Sequence, residues 1–93
     1  MKYVLAYEST PDFMSKIPAN IAEHRALWKQ FHTGGTLLMV GPMTDPPAGS
    51  ALAIFTTRAA AEAFVAADPF VKNGLVAKWT IREWNEVLFQ PAK

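Results

Sequence analysis

The stretch from residue 17 to residue 31, IPANIAEHRALWKQF, decides the helical part of the fold. Its apolar residues recur at intervals of three and four, which places them on one face of a helix. That face comprises Ile17, Ile21, Trp28 and Phe31, with His24 in its middle. Together with Pro18 near the start and Gly34-Gly35 after the stripe, the pattern predicts a helix over about residues 17–33. An ionisable ring is therefore expected to face the core.

The segments around this helix alternate between strand and helix signals. Strands are predicted at residues 2–7, 36–41, 50–56 and 75–85, and further helices at 58–67 and 69–73. Thr57 can cap the helix at 58–67, in which Ala60, Phe64 and Ala67 share a face. The order strand-helix-strand-strand-helix-strand predicts an α+β fold, the ferredoxin-like βαββαβ sandwich. Without a repeat or a linker, residues 1–93 are expected to form one domain.

Composition excludes several classes of function. Nine Lys and Arg residues against eight Asp and Glu give a net charge of +1, which offers no electrostatic footprint for nucleic acid or a membrane surface. The chain has no cysteine, so neither a disulfide nor a cysteine-ligated metal site can form. The apolar run at residues 3–7 is too short for a signal peptide or a membrane span. We expect a cytoplasmic protein that uses no cofactor, nucleic-acid partner or membrane anchor.

The predicted strands also carry information about self-association. The first three are apolar at nearly every position, although helices cover only one sheet face in this fold. A second copy packed sheet against sheet would cover the other face, so we expect a homodimer. In the last strand, Lys78, Thr80 and Arg82 share a face with Trp84. Trp84 is predicted to be a dimer contact, the alternative being the wall of a cleft lined by both subunits.

His24 requires a hydrogen-bond acceptor if its ring is buried, because burial of imidazole without a partner is costly. Asp68, in the segment Ala67-Asp68-Pro69-Phe70, is the candidate. Each residue also has a simpler explanation. His24 can be a core histidine bonded to a backbone carbonyl, and Asp68 is well placed to cap a helix that begins at Pro69.

Two further positions are candidates for ligand binding. Gly41 ends a predicted strand and can let a ligand approach the backbone, although strand termination explains it equally well. Ser50 offers a hydroxyl at the start of the next strand, but no motif marks it as a nucleophile. His32 lies eight residues beyond His24 without an acidic cluster, so a metal site is not expected.

Residues spread over nearly the whole chain resemble those of the YCII-related (YciI-like) family. They are His24, Gly34, Gly41-Pro42-Met43, Gly49-Ser50, Ala67-Asp68-Pro69-Phe70, Gly74 and residues 84–89. The resemblance implies a dimeric α+β barrel with a pocket in which His24 and Asp68 form the catalytic pair. It also implies that Gly41, Ser50 and Phe70 line the pocket and bind the substrate. One departure is Ile21, where family members commonly carry arginine.

The family includes a dehydrochlorinase that acts on a chlorinated hydroxyhydroquinone, so the resemblance implies a small-molecule enzyme of the lyase or isomerase type. In this hypothesis His24 exchanges a proton while Asp68 fixes its tautomer and stabilises the imidazolium. The alternative is a non-catalytic dimer that binds a metabolite or serves as an interaction module, with the same pair as a structural bond. A third alternative is a cofactor-free or haem oxygenase on the same barrel.

Overall fold

The structure is a computed structural model that describes residues 1–89 of the 93-residue chain. Its elements are β1 Lys2–Ser9, α1 Phe13–Thr33, β2 Leu37–Pro42, β3 Ser50–Phe55, α2 Arg58–Ala67, α3 Pro69–Lys72 and β4 Val76–Trp84. The four strands form one antiparallel sheet in the order β2-β3-β1-β4. This is the predicted βαββαβ arrangement, with the predicted short helix after α2 present as α3, and the α+β fold class is confirmed.

Helix α1 begins earlier than predicted. It starts at Phe13, four residues before the expected boundary at residue 17, and it contains Pro18. The first turn of a helix does not use its N–H groups, so a proline typically marks a helix start. Pro18 lies just past that turn, so its missing N–H removes only one backbone hydrogen bond. The helix therefore continues in the N-terminal direction as far as Phe13.

The core lies between one face of the sheet and the helices. Its buried residues are Leu5, Tyr7, Leu37, Ala53, Phe55, Ala61, Phe64 and Val65. Thr57 caps α2 as predicted, since its side chain accepts a hydrogen bond from the backbone N–H of Ala60. The predicted face of α2 was wrong in part: Phe64 is buried with Ala61 and Val65, whereas Ala67 is exposed. Phe64 is the largest buried side chain of α2, so its position decides that Ala61 and Val65 face the core.

The opposite face of the sheet carries no helix. The register pairs Val4 with Ile54 and Ala6 with Leu52, and these four apolar side chains are half-buried at its centre. At the two edges, Met39 and Trp84 are 68% and 51% exposed. We call this surface the open face and define it by Val4, Ala6, Met39, Leu52, Ile54, Thr80, Arg82 and Trp84. None of the helices in residues 1–89 is long and apolar enough to span a membrane.

Candidate functional site

A cavity of about 600 Å³ lies between α1 and the sheet. Its walls come from β1, β2, β3 and the loop between β2 and β3, together with α1 and Phe70 of α3. Most of the lining is apolar, and Ser9, His24, Arg25 and Ser50 are among its few polar side chains. Ligand sites in proteins typically enclose about 300–1,000 Å³ and combine apolar walls with a few placed polar groups. The cavity fits that description.

The long helix α1 is built around this cavity. Not one of its 21 residues is buried. The residues that it contributes to the lining are Phe13, Met14, Ile17, Ile21, His24, Arg25 and Trp28. The apolar stripe, which was predicted to enter the core, therefore faces the cavity along most of its length. The helix packs against the core only towards its C-terminal end, through Leu27, Trp28 and Phe31. Protein interiors are normally close-packed, so the loose packing of α1 on this side leaves room for a ligand.

His24 and Asp68 lie in contact beside the cavity. Nδ1 of His24 is 2.8 Å from Oδ1 of Asp68, and the two side chains are 13% and 0% exposed. A buried carboxylate is an acceptor, so the neutral imidazole carries its proton on Nδ1. That N–H group donates a hydrogen bond to Asp68. The other ring nitrogen, Nε2, has no hydrogen-bond partner within residues 1–89 and remains available to a ligand.

Asp68 accepts three hydrogen bonds, one from each of three parts of the chain. Its Oδ1 accepts from His24 and from the backbone N–H of Phe70 at 3.0 Å, and its Oδ2 accepts from the Tyr7 hydroxyl at 2.7 Å. Three donors compensate for the desolvation of a fully buried carboxylate. Asp68 thus caps α3 ahead of Pro69, as the simpler explanation required, and it also holds His24.

Tyr7 is the member of this group that sequence reasoning missed. It lies in the middle of β1, and its ring belongs to the buried core. Burial, followed by the negative charge of Asp68 and the hydrogen bond to it, raises the pKa of Tyr7 far above its usual value of 10.0. A polar tip on an otherwise apolar strand was the available signal, since a buried tyrosine hydroxyl usually finds a partner.

Phe70 holds the imidazole ring from one side. The two rings are stacked with centroids 3.8 Å apart and an angle of 5° between their planes, and Phe64 meets the same imidazole edge-on at 6.4 Å. Phe70 also lines the cavity. Packing and the Asp68 hydrogen bond together restrict His24 to one orientation.

The structure also brings Gly41 and Ser50 to the cavity wall. A Cβ atom added at Gly41 would meet no atom within 4 Å, so open space adjoins its backbone. Ser50 borders both this cavity and a smaller depression of about 330 Å³ that Lys78 and Thr80 also line. Of the five residues singled out from the sequence, four line the cavity directly, and Asp68 lies behind His24.

The position of the site relative to the last strand differs from the cleft considered from the sequence. Trp84 pairs with Lys2 at the open face and does not line the cavity, which lies on the helix side of the sheet. The alternation within β4 puts Lys78, Thr80 and Arg82 beside the even-numbered residues of β1, away from α1. The dimer-contact interpretation of Trp84 thus remains a prediction, and the cleft-wall alternative does not apply to this cavity.

The second histidine serves another purpose. Nδ1 of His32, in the last turn of α1, lies 2.8 Å from the carbonyl oxygen of Leu37 at the start of β2. This contact joins the end of α1 to the sheet. No group of three or more His, Cys, Asp or Glu side chains within residues 1–89 is arranged to hold a metal ion.

Comparison with solved structures finds the same fold in several proteins. The 5-chloro-2-hydroxyhydroquinone dehydrochlorinase TftG from Burkholderia phenoliruptrix AC1100, in complex with 2,5-dihydroxybenzoquinone, is 22% identical, with a TM-score of 0.74 over 91% of this chain and 94% of that chain. SnoaB, a cofactor-independent oxygenase from Streptomyces nogalater, is 11% identical, with a TM-score of 0.56 over 96% of each chain. An antibiotic biosynthesis monooxygenase is 16% identical, with a TM-score of 0.59 over 94% of this chain and 98% of that chain.

These identities are low, so the likeness establishes the fold and not the reaction. None of the curated proteins compared with this chain matches it. The family model of the YCII-related domain matches residues 1–85, which include β1, the cavity-facing helix, Asp68 and all of β4. The resemblance noted from the sequence is thereby confirmed, and the chain belongs to the YCII-related family.

Proposed function

We propose that this protein is a small-molecule enzyme of the lyase or isomerase type in which His24 transfers a proton. One observation carries the proposal: the imidazole lines an apolar cavity while a fully buried carboxylate holds its Nδ1 at 2.8 Å. That arrangement leaves Nε2 as the basic nitrogen and supplies a negative charge that stabilises the imidazolium once a proton has been accepted.

The proton transfer can be written for an elimination. Nε2 of His24 takes a proton from a hydroxyl or a saturated carbon of the ligand, the electron pair of that bond forms a new double bond, and a halide leaves a saturated carbon with the electrons of its own bond. An aromatic ligand reaches such a form by tautomerisation of its ring. The net loss is one hydrogen halide. In a tautomerisation the same imidazolium returns its proton to another atom of the ligand. Apolar walls exclude water from both processes.

Asp68 and Tyr7 act through His24 in this proposal. Asp68 fixes the tautomer, and Tyr7 holds the second carboxylate oxygen, so the carboxylate cannot turn away from the imidazole. Phe70 keeps the ring plane constant through stacking. Gly41 and Ser50 are proposed to contact the ligand at the opposite wall.

The structural neighbour named as a dehydrochlorinase suggests the first compound to test. We would measure chloride release from 5-chloro-2-hydroxyhydroquinone, together with oxygen uptake, for the wild type, His24→Ala and His32→Ala. General acid-base groups contribute about 10²- to 10⁴-fold to rates, so His24→Ala should lose about that factor. His32→Ala is the matched control, because it removes the other histidine, which lies outside the cavity lining.

Equal turnover by the wild type and His24→Ala would end the proton-transfer hypothesis. Oxygen uptake without chloride release would favour the oxygenase alternative. Two of the structural neighbours are named as oxygenases, which is the reason to measure it. Tight binding of 2,5-dihydroxybenzoquinone without turnover would favour the metabolite-binding alternative. The three contacts through which Asp68 joins β1, α1 and α3 support that alternative, because they are sufficient for a purely structural role.

We also propose that the protein is a homodimer, formed through the open face. The face has an apolar centre around Val4 and Ile54, and Met39 and Trp84 are exposed at its edges. Glu8 at one end lies 4.0 Å from Lys78, so its charge is already met within the chain. Burial of the exposed apolar surface is therefore the reason to expect a second copy on this face. The cytoplasmic location stays a prediction from the sequence.

A further inference from the structure

The charged side chain at the cavity is Arg25. It follows His24 directly in α1, and it both lines the cavity and remains exposed to solvent, which places it at the cavity mouth. Neither aspartate nor glutamate occurs among the described residues that line this cavity. A permanent positive charge at the entrance of an apolar cavity raises the local concentration of anions.

Within the part of the chain that the structure describes, residues 1–89, Arg25 forms no salt bridge with a carboxylate. The helix neighbours at three and four residues' distance are Ile21, Ala22, Trp28 and Lys29, and none is acidic. No carboxylate lies within salt-bridge distance of its guanidinium among residues 1–89. An acidic side chain three or four residues away on the helix would be close enough to pair with it. The guanidinium is therefore left with donors that a ligand can use.

The positive charge of Arg25 matters because a negative charge lies close to the cavity. Asp68 is fully buried directly behind His24, and its negative charge opposes the entry of an anionic ligand when the imidazole is neutral. Arg25, the residue after His24, offsets the negative charge of Asp68 at the mouth of the cavity. The position three residues before His24 cannot do so, because Ile21 contributes only an apolar wall.

We propose that Arg25 selects planar aromatic ligands that carry a carboxylate or an ionised hydroxyl, and that the cavity binds them with the anionic oxygen at the guanidinium and the ring against the apolar wall. The proposal rests on the proposed function only in taking the cavity as the ligand site. Guanidinium groups pair with carboxylates through two parallel hydrogen bonds and also stack on aromatic rings. Ile17, Ile21 and Trp28 supply the apolar surface along the same helix face.

The test uses two probes of the same shape, 4-hydroxybenzoate and its neutral counterpart 4-hydroxybenzamide. Binding to the full-length protein would be measured by isothermal titration calorimetry at neutral pH and low salt. The wild type should bind the anion about 5- to 30-fold more tightly than the amide, since hydrogen bonds to charged groups are worth more than neutral ones. Arg25→Met and Arg25→Gln should each bring this preference to within about twofold, as expected if a single charge is responsible.

Lys29→Met is the matched control. It removes a positive charge one turn farther along α1 at an exposed residue that does not line the cavity, so it should keep the full preference for the anion. Equal binding of the two probes by the wild type, or a preference that survives both Arg25 substitutions, would overturn the inference.

The outcomes also separate this inference from the catalytic proposal. If neither probe binds, the anion selectivity fails, whereas the use of the cavity as the reaction site is decided by the effect of His24→Ala on chloride release. If the anion is preferred and Arg25→Met abolishes that preference, the inference holds whether or not His24→Ala changes turnover in the chloride-release assay.

Discussion

The hydroxyl of Tyr7 in the first strand donates a 2.7 Å hydrogen bond to Oδ2 of Asp68, 61 residues later, whose Oδ1 accepts from His24. A single carboxylate thus joins the centre of the sheet to the cavity-facing helix and to the start of α3. Because Asp68 is fully buried, each donor matters both for stability and for the orientation of the imidazole.

Replacement of Tyr7 by phenylalanine removes the hydroxyl and leaves Oδ2 of Asp68 without a donor. Loss of one partner of a buried polar group costs about 1–3 kcal/mol. We expect Tyr7→Phe to lower the free energy of unfolding by about that amount in urea denaturation. Tyr3→Phe in the same strand is the control, because no side-chain hydrogen bond of Tyr3 occurs within residues 1–89. Equal stabilities of the two variants would show that the hydroxyl contributes nothing.

Asparagine and alanine at position 68 should differ sharply. The carboxamide oxygen of Asp68→Asn can still accept from Phe70 and His24, and its NH₂ group can donate to Tyr7, because a tyrosine hydroxyl is also an acceptor. In urea denaturation, we expect Asp68→Asn to lower the free energy of unfolding by about 1 kcal/mol or less. Asp68→Ala should lower it by about 3 kcal/mol or more, because it leaves several buried groups unpaired.

The proposed function adds a second readout to the same pair. Asp68→Asn removes the negative charge that stabilises the imidazolium, so its turnover in the chloride-release assay should fall far more than its stability. Unchanged turnover at unchanged stability would reduce Asp68 to a helix cap.

The raised pKa of Tyr7 predicts a change of stability at alkaline pH. Because the pKa is higher in the folded than in the unfolded protein, the contribution of Tyr7 to stability is fully present below pH 10.0 and is lost as the pH rises beyond that value. In a Tyr3→Phe background Tyr7 is the only tyrosine of the chain. Its tyrosinate absorbance should then appear only together with the loss of the far-ultraviolet circular dichroism signal. Ionisation while the fold persists would contradict the burial and charge argument.

The proposed dimer can be tested at the centre of the open face. Val4→Glu would place a charge in the middle of a desolvated apolar contact, which dimers do not tolerate without compensation. We expect light scattering coupled to size-exclusion chromatography to give a dimer for the wild type and a monomer for Val4→Glu. Glu62→Lys, on the exposed side of α2, is the control and should stay dimeric. A monomeric wild type at micromolar concentration would contradict the proposal.

Local sequence patterns predicted most of the fold, and they failed where two local rules competed. The boundaries of β2, β3 and α3 differ from prediction by one residue, because the residues at these ends, Pro42, Thr56 and Asn73, can belong either to the element or to the turn beside it. The predicted start of α1 is four residues late because proline usually marks the first turn of a helix, whereas Pro18 stands in the second turn at the cost of one backbone hydrogen bond. The inner face of α2 was misjudged because an alanine-rich helix leaves only Phe64 to mark its buried side.

The site divides in a similar way. The pairing of His24 with Asp68 could be proposed from the sequence, because a polar ring in an apolar stripe demands an acceptor and the segment around Asp68 offers one. Tyr7 and Arg25 could not be found by the same reasoning. Tyr7 looks like an ordinary strand aromatic, and Arg25 looks like one of several solvated charges on α1. Their significance depends on which atoms the folded chain brings near Asp68 and the cavity.

The sequence by itself determined the order of the strands and helices, the apolar stripe of α1 and the residue types available for proton transfer, because these follow from the spacing of residues along the chain. Only the tertiary structure decided that the stripe borders a cavity instead of a filled core, and that one carboxylate receives donors from residues 7, 24 and 70. The physical reason is that a void and a three-way hydrogen-bond junction are properties of packing between distant segments, which no local periodicity encodes.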